Sequence, residues 1–393
     1  MKRGPRPALK NGLLRYLFVI AVLSAALLYG SSRSGPDLMP HIREIFPLAA
    51  SFEQSDGIYS AFSDQNDLLG WAAAGRASGF GGHMLVVVGI DTTGEVAGAK
   101  VVEHRETPLF FRVVRSSEFF GAIRGRSFEK VNYEYSDIVG VTGATRSSEA
   151  IVAGVRNAIT RVSGPKFGVH MPAPERPFEF GILEVVVLLL FTVAVAAARL
   201  PDSLREVLRW ASQVTGLLVI GFWKNSPITI AKITSLMSGY FPDIQSNLSL
   251  YLLIAGFMLT VLVLGRSIYC THICPFGAAQ QIINLIGGKN IKLPIWAARL
   301  MIMARNVIVF TAVVAAFITV QPALTSYEPF ATLFALRGTV LQWLLLLVVM
   351  VTSLFIHRPW CNFLCPVRTC ERVLQDIRRR STGLREASDG VCE

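Results

Sequence analysis

Two stretches of this chain repeat one pattern: an aromatic residue, two cysteines four apart, then a proline. The first is Tyr269-Cys270-Thr271-His272-Ile273-Cys274-Pro275 and the second is Trp360-Cys361-Asn362-Phe363-Leu364-Cys365-Pro366. Cysteines at i and i+4 on a helical turn face the same way, with Cβ atoms about 6 Å apart, so each pair can grip one cluster with two thiolates. The proline after the second cysteine pushes that residue out of helical geometry. Two half-sites supply four thiolates, the count for a 4Fe–4S or 2Fe–2S cluster. Tetrahedral zinc on four cysteines is an alternative, although structural zinc motifs more often use shorter spacings. Inert buried cysteines occur singly rather than in matched duplicate, and disulfides are disfavoured where thiols stay reduced. Cys370 is a spare or fifth ligand, and Cys392 a bystander. His272 and His357 read as interfacial polar residues, with metal ligation or proton handling for a quinone as the functional alternative.

The elements that deliver these motifs are strongly apolar. The chain is 52% hydrophobic and 17% charged, a composition typical of several bilayer spans. Spans of about 20 residues are expected at Leu13–Gly30, Ile182–Ala198, Leu248–Gly265, Met301–Val320 and Val340–Ile356. A sixth, Ala211–Trp223, is short and is interrupted by Lys224 and Pro227. It reaches spanning length only by continuing through Ile228–Ile233. Six spans with the N-terminus inside place Lys2, Arg3, Arg6, Lys10 and Arg15, then Arg199, Arg205 and Arg209, then Arg266 and Arg299, then Arg358, Arg368 and Arg372 on the cytoplasmic side. That asymmetry follows the positive-inside bias. The net charge of +11 is therefore read as topology and not as a nucleic-acid surface. Both cysteine motifs fall on the cytoplasmic side in this arrangement. Arg305 and Glu184 are expected to snorkel to the bilayer edges. Leu13–Gly30 is taken as an uncleaved anchor rather than a signal peptide.

Residues 31–177 have ordinary soluble composition and read as an α+β domain outside the cytoplasm, ending in the Pro-rich stretch Met171–Pro177. Met84–Ile90 and Val96–His104 are strand-like and joined by Asp91-Thr92-Thr93-Gly94, a hairpin. A helix from about Arg146 to Val162 presents Ile151, Val155, Ala158, Ile159 and Val162 on one face, which must pack on the sheet. Just before it runs Thr142-Gly143-Ala144-Thr145, a Gly-containing turn that feeds a helix N-terminus and so suits a phosphate. Capping of the helix by Thr145 or Ser147 explains the same residues without a ligand.

Thr142-Gly143-Ala144-Thr145 resembles the covalent flavin attachment motif of FMN-binding domains in Rnf-type and Na+-translocating quinone reductase complexes. The resemblance implies that a flavin transferase links FMN through its phosphate to Thr145. Gly81-Gly82 leading into Val86–Asp91, and Glu103-His104-Arg105-Glu106-Thr107-Pro108, are similar to the same domain, which adds Gly81, Gly82, Glu106 and Thr107 to the implied flavin residues. Leu109 departs from the glycine common after that proline.

The whole layout is similar to the NosR/NirI family of membrane flavoproteins. It consists of an anchor (1–30), an extracytoplasmic FMN-binding α+β domain (31–177) and a six-helix transmembrane bundle (178–393). Because 27 residues follow Pro366, the layout is closer to short, PceC-type members without a ferredoxin-like tail. The resemblance implies an iron–sulfur cluster on Cys270, Cys274, Cys361 and Cys365. It also implies exchange with the quinone pool, and electron delivery to an extracytoplasmic reductase, notably nitrous oxide reductase, or support of its maturation. A flavin-bearing redox sensor and a component of an Rnf-like pump are the competing readings. The expected route has a difficulty, since a hydrocarbon core about 30 Å thick separates inner cysteines from an outer flavin.

Overall fold

The computed structural model of the chain describes residues 7–32, 35–79, 83–104, 121, 123–129, 145–169, 180–197, 199–242, 244–288 and 290–382. Helix α1 (Pro7–Ser31) and the short α2 (Met39–Ile45) lead into a five-stranded antiparallel meander. Its strands are β1 (Ser51–Ser55), β2 (Ile58–Phe62), β3 (Leu68–Ser78), β4 (His83–Asp91) and β5 (Val96–His104), in that spatial order.

The β4–β5 hairpin stands where the alternation predicts it. Its turn is closed by Asp91 Oδ1, which accepts from the Thr93 and Glu95 amides at 2.9 and 2.8 Å. Gly94 takes a left-handed φ of 89° there, a conformation open to glycine because it lacks a Cβ.

Helix α3 (Thr145–Phe167) lies on the sheet. All five residues expected on its inner face, Ile151, Val155, Ala158, Ile159 and Val162, are fully buried, and they pack on Met84, Val86, Val88 and Ile90 of β4. Residues i, i+2 and i+4 of a strand share one face, so Val87 points the other way, into a second layer formed by Ile42, Ile45 and Phe46 at α2. The helix sits close on the sheet because Gly75 and Gly154 oppose each other: a Cβ on Gly75 would meet Gly154 O at 2.0 Å.

The remainder is helical: α4 (Ile182–Ala197), α5 (Asp202–Thr215), α6 (Ile230–Met237), α7 (Ile244–Leu264), α8 (Pro275–Gly287), α9 (Ile295–Thr319), α10 (Phe330–Phe334), α11 (Val340–Ser353) and α12 (Pro366–Thr382). Among the described residues two helices are long and apolar enough to cross a membrane, Asn247–Leu264 and Ile295–Thr319. Tyr16–Ser31, Ile182–Ala197 and Val340–Ser353 are apolar but shorter.

The sixth expected span is not one helix. Helix α5 winds into a π-helical segment, Gly216–Trp223, and breaks at Lys224. Asn225 then takes a left-handed φ of 44°, and α6 starts afresh with Thr229 as its N-cap, accepting from the Lys232 amide at 3.3 Å. Pro227, which has no amide hydrogen to donate, accounts for the break.

Two further expectations fail. Arg305 is 1% exposed and bonds Asn306 Oδ1 through Nη2 at 3.1 Å, so it is an interior residue and does not snorkel. Glu184 is also buried. Its Oε2 accepts from the Gly181 amide at 2.9 Å, which satisfies a free N–H at the start of α4.

Candidate functional site

The two cysteine motifs adopt one backbone. Tyr269–Ile273 and Trp360–Leu364 are each a π-helical turn, closed by Cys274 N–H to Tyr269 O and by Cys365 N–H to Trp360 O, both at 2.8 Å. The second cysteine of each pair then turns out of helical geometry, with ψ of 117° at Cys274 and 122° at Cys365. The expected effect of the following proline is therefore present. The helical turn is wider than the α-turn expected, however, and the proline starts a helix as well as ending one. Pro275 and Pro366 open α8 and α12, the position where a missing N–H is harmless.

The aromatic residue of each turn reaches into the helical core. Tyr269 is 1% exposed, and its ring packs edge-on against Phe257 at 6.3 Å. Phe257 lies seven residues before the end of α7, about 10 Å along a helix that rises 1.5 Å per residue. Trp360, 2% exposed, packs on Phe276 and Tyr327. Each turn thus anchors its aromatic residue among buried side chains, while Thr271 and His272 of the first turn line a cavity with Asp202, Arg205, Arg209 and Arg266.

Each helix that leaves one half-site braces the other. In α8, Gln280 Oε1 accepts from the Trp360 amide at 3.0 Å, while its Nε2 donates to Cys361 Sγ at 3.2 Å. In α12, Glu371 Oε1 accepts from the Ser267 amide at 3.3 Å, and Ser267 Oγ in turn accepts from the Cys270 amide at 3.1 Å. Gln280 stands six residues after Cys274, and Glu371 six after Cys365. This reciprocal pair was missed from sequence; the matched offset in the two repeats is the signal that marks it. Arg358 adds a further link, donating from Nη1 to Cys270 O at 3.2 Å and from Nη2 to Gln281 Oε1. Gln213 of α5 ties turn one to the same group, through Thr271 O at 2.7 Å and Gln281 Oε1 at 3.1 Å.

Four cysteine sulfurs, two from each turn, are a donor set that suits an iron–sulfur cluster. Gly277 leaves room at the junction, where a Cβ would lie 3.5 Å from Cys270 O and 3.7 Å from both Cys361 Sγ and Arg358 Nη1. Burial pushes the Cys274 thiol up to about 12. It raises Cys361 as well, where the Arg358 guanidinium works in the opposite direction. Such thiols ionise when a metal cation displaces their protons.

His272 Nδ1 lies 2.8 Å from Thr271 Oγ1, and His357 Nδ1 lies 3.3 Å from Asn284 Oδ1. Burial, followed by Arg209 and Arg266, lowers His272 to about 4, so its imidazole is neutral at pH 7. Cys370 sits against α9 with Val309 and Phe317.

In the sheet domain Thr145 is the first residue of α3, as the phosphate-site reading requires. Gly81, Gly82, Glu106, Thr107, Thr142, Gly143 and Ala144 lie outside the described residues, as does Cys392.

Comparison with known proteins divides the chain at the same places. Residues 79–160 match the FMN-binding domain family. Residues 246–294 and 339–385, one stretch around each cysteine pair, match the 4Fe-4S binding domain family. The chain is similar to Protein NirI of Paracoccus denitrificans, 29% identical over 206 residues that make up 47% of this chain and 30% of that protein. It is also similar to Regulatory protein NosR of Pseudomonas aeruginosa, 23% identical over 213 residues, or 49% of this chain and 29% of that protein. A component of the ion-translocating oxidoreductase complex of Vibrio vulnificus is 31% identical over 94 residues, 22% of this chain and 44% of that component. The matched stretch spans under a third of NirI and of NosR.

Proposed function

We propose, on the premise that this chain is a NosR/NirI-type FMN-binding protein, that it is a membrane electron-transfer flavoprotein working between an inner donor and an outer acceptor. In this reading Cys270, Cys274, Cys361 and Cys365 hold one 4Fe–4S cluster. FMN is esterified through its phosphate to Thr145 by a flavin transferase, with Gly81, Gly82, Glu106, Thr107, Thr142, Gly143 and Ala144 around it. Electrons enter from quinol or a cytoplasmic donor and leave to an extracytoplasmic reductase. The chain crosses the cytoplasmic membrane six times, the crossing near residues 211–237 being a broken one, with the flavin domain outside. The observation that carries this reading is the convergence of two cysteine pairs, from two separate stretches, on one largely buried and reciprocally braced site in which Cys365 is buried and Cys270, Cys274 and Cys361 are half-buried.

When bound, the cluster supplies one-electron exchange, which the flavin couples to two-electron chemistry. The chain's own residues tune and protect that chemistry. Gln280 Nε2, aimed at Cys361 Sγ, stabilises negative charge on sulfur and so favours the reduced state. Arg358 acts in the same direction. Tyr269, Ile273, Phe276, Trp360 and Phe363 are buried around the turns and cover the core-facing side of the cysteines.

Thr145→Ala tests the flavin half: covalent flavin fluorescence of the denatured protein band should vanish, and surviving fluorescence would refute attachment there. A second reading, a redox sensor or maturation factor, draws on the likeness to NosR, which is named a regulatory protein. Quinol added to membranes separates the two, because a carrier's flavin is reduced during turnover and a sensor's is not required to be. Membership of an Rnf-like pump is disfavoured, since the likeness to subunits of such complexes, over 22% and 40% of the chain, leaves the paired cysteines unexplained.

A further inference from the structure

Helix α6 and the short segments flanking it are pinned at both ends, and the two ends belong to different redox regions. At the lower end the Ile228 amide donates to Tyr269 Oη at 2.9 Å, one residue before Cys270. The Ile230 amide, in the first turn of α6, donates to Glu328 Oε1 at 3.2 Å, which satisfies a free N–H at the helix N-terminus. Lys232 Nζ folds back onto Ser226 Oγ and Pro227 O at 3.1 and 3.0 Å, stiffening the entry.

At the upper end the helix closes through Gly239, at a left-handed φ of 78°. The next residue, Tyr240, is 1% exposed. Its hydroxyl donates to Gly79 O at 3.0 Å, and its ring stands edge-on to His83 at 4.4 Å. Gly79 and His83 flank the β3–β4 connection, where the FMN-binding domain family match begins. The eight residues of α6 span about 12 Å at 1.5 Å per residue, far less than a membrane's thickness.

We propose that α6 is a fixed strut, with Tyr240 as its positioning residue, that docks the flavin-binding edge of the sheet domain onto the cysteine site. The purpose of the strut rests on the electron-transfer reading above, while its geometry does not. With the sheet domain held this way, Tyr269, α6 and Tyr240 would fix the separation between a cluster held by the cysteines and a flavin held by the sheet domain. One electron lost by such a cluster would be gained by such a flavin, with no swing of the sheet domain on a tether.

The test uses full-length protein in detergent, compared as Tyr240→Phe, Tyr240→Ala and His83→Ala. The first readout is hydrogen exchange, which needs neither cofactor. Tyr240→Ala should speed exchange at the β3 end, the β4 start and residues 235–242 together, by about tenfold, the loss of one buried hydrogen bond and a ring contact. Tyr240→Phe, which keeps the ring on His83, should give a smaller change, and His83→Ala should weaken the same amides from the other side. A double variant whose effect is less than the sum of the two singles places both side chains in one contact. The second readout is pulsed EPR on partly reduced holoprotein: a single narrow distance between the reduced cluster and the flavin radical should broaden in Tyr240→Ala. Unchanged exchange and an unchanged distance in Tyr240→Ala would overturn the strut. If Tyr240→Ala does not fold, His83→Ala decides on the same two readouts. Coupled exchange changes in a protein that never takes up flavin or iron would uphold the docking and overturn the electron-transfer reading alone.

Discussion

The two cysteine half-sites share a backbone and differ in charge. Both are π-turns ending in a cysteine with ψ near 120° and a proline that opens a helix. Yet position +6 after the second cysteine is the neutral Gln280 in one and the carboxylate Glu371 in the other. Position +3 is Gly277 in one and Arg368 in the other. The second half-site carries its own ion pair, Arg368 Nη1 to Glu371 Oε2 at 3.0 Å; the first is left neutral and narrow, and receives Arg358 from its partner. The two half-sites share a backbone geometry, while their side chains make one side an electrostatic brace and the other a close wall.

Breaking either half should expose the shared geometry most strongly. Cys274→Ser and Cys365→Ser should each remove essentially all iron and sulfide from anaerobically purified protein, because one cluster needs both pairs. Retention of about half the iron in each variant would mean that the half-sites act separately.

The charge difference comes next. Glu371 is 3% exposed, so Glu371→Gln strips Arg368 of its counter-charge and weakens the bond to Ser267. Unfolding stability should fall by about 2 kcal/mol, within the usual cost of losing a charged hydrogen bond. The matched change at the other half, Gln280→Glu, puts a carboxylate beside Cys361 Sγ. It should lower the cluster's reduction potential by on the order of 60 mV, the one-electron equivalent of a tenfold shift in the equilibrium. Redox titration followed by EPR reads this shift, and an unmoved potential would show that Gln280 does not face the cluster. The smallest effect is expected at Gly277→Ala. Its new Cβ meets nothing closer than 3.5 Å in the protein, so the fold should tolerate it while cluster occupancy drops modestly.

Much of this was legible in the residues themselves. The cysteine duplication, the β4–β5 hairpin and the buried face of α3 all follow from spacing, because each is set by local periodicity. What sequence hid was decided by tertiary contacts. Strand β3 reads as Gly70-Trp71-Ala72-Ala73-Ala74-Gly75, a run poor in β-branched residues. It becomes a strand because small side chains let α3 approach one face and α2 the other. Arg305 sits in an apolar helix near its inner end, where snorkelling is the ordinary fate; only the fold shows Asn306 and the buried pocket that keep it inside. Gln280 and Glu371 are polar residues on helices with exposed faces, and their inward direction is fixed by the opposite turn. Lys224 and Pro227 mark the break in the sixth expected span, but the contacts that pin the two ends of the short α6 are set by residues far away in the chain, Tyr269, Glu328 and Gly79.

The claim on which the rest depends is that one cluster bridges the two half-sites. Iron and acid-labile sulfide, quantified together with low-temperature EPR on anaerobically purified full-length protein, address it most directly. One 4Fe–4S equivalent per chain, lost on replacing a cysteine in either half, is the expected result. Stoichiometric zinc, or a cluster that survives loss of either pair, would contradict it.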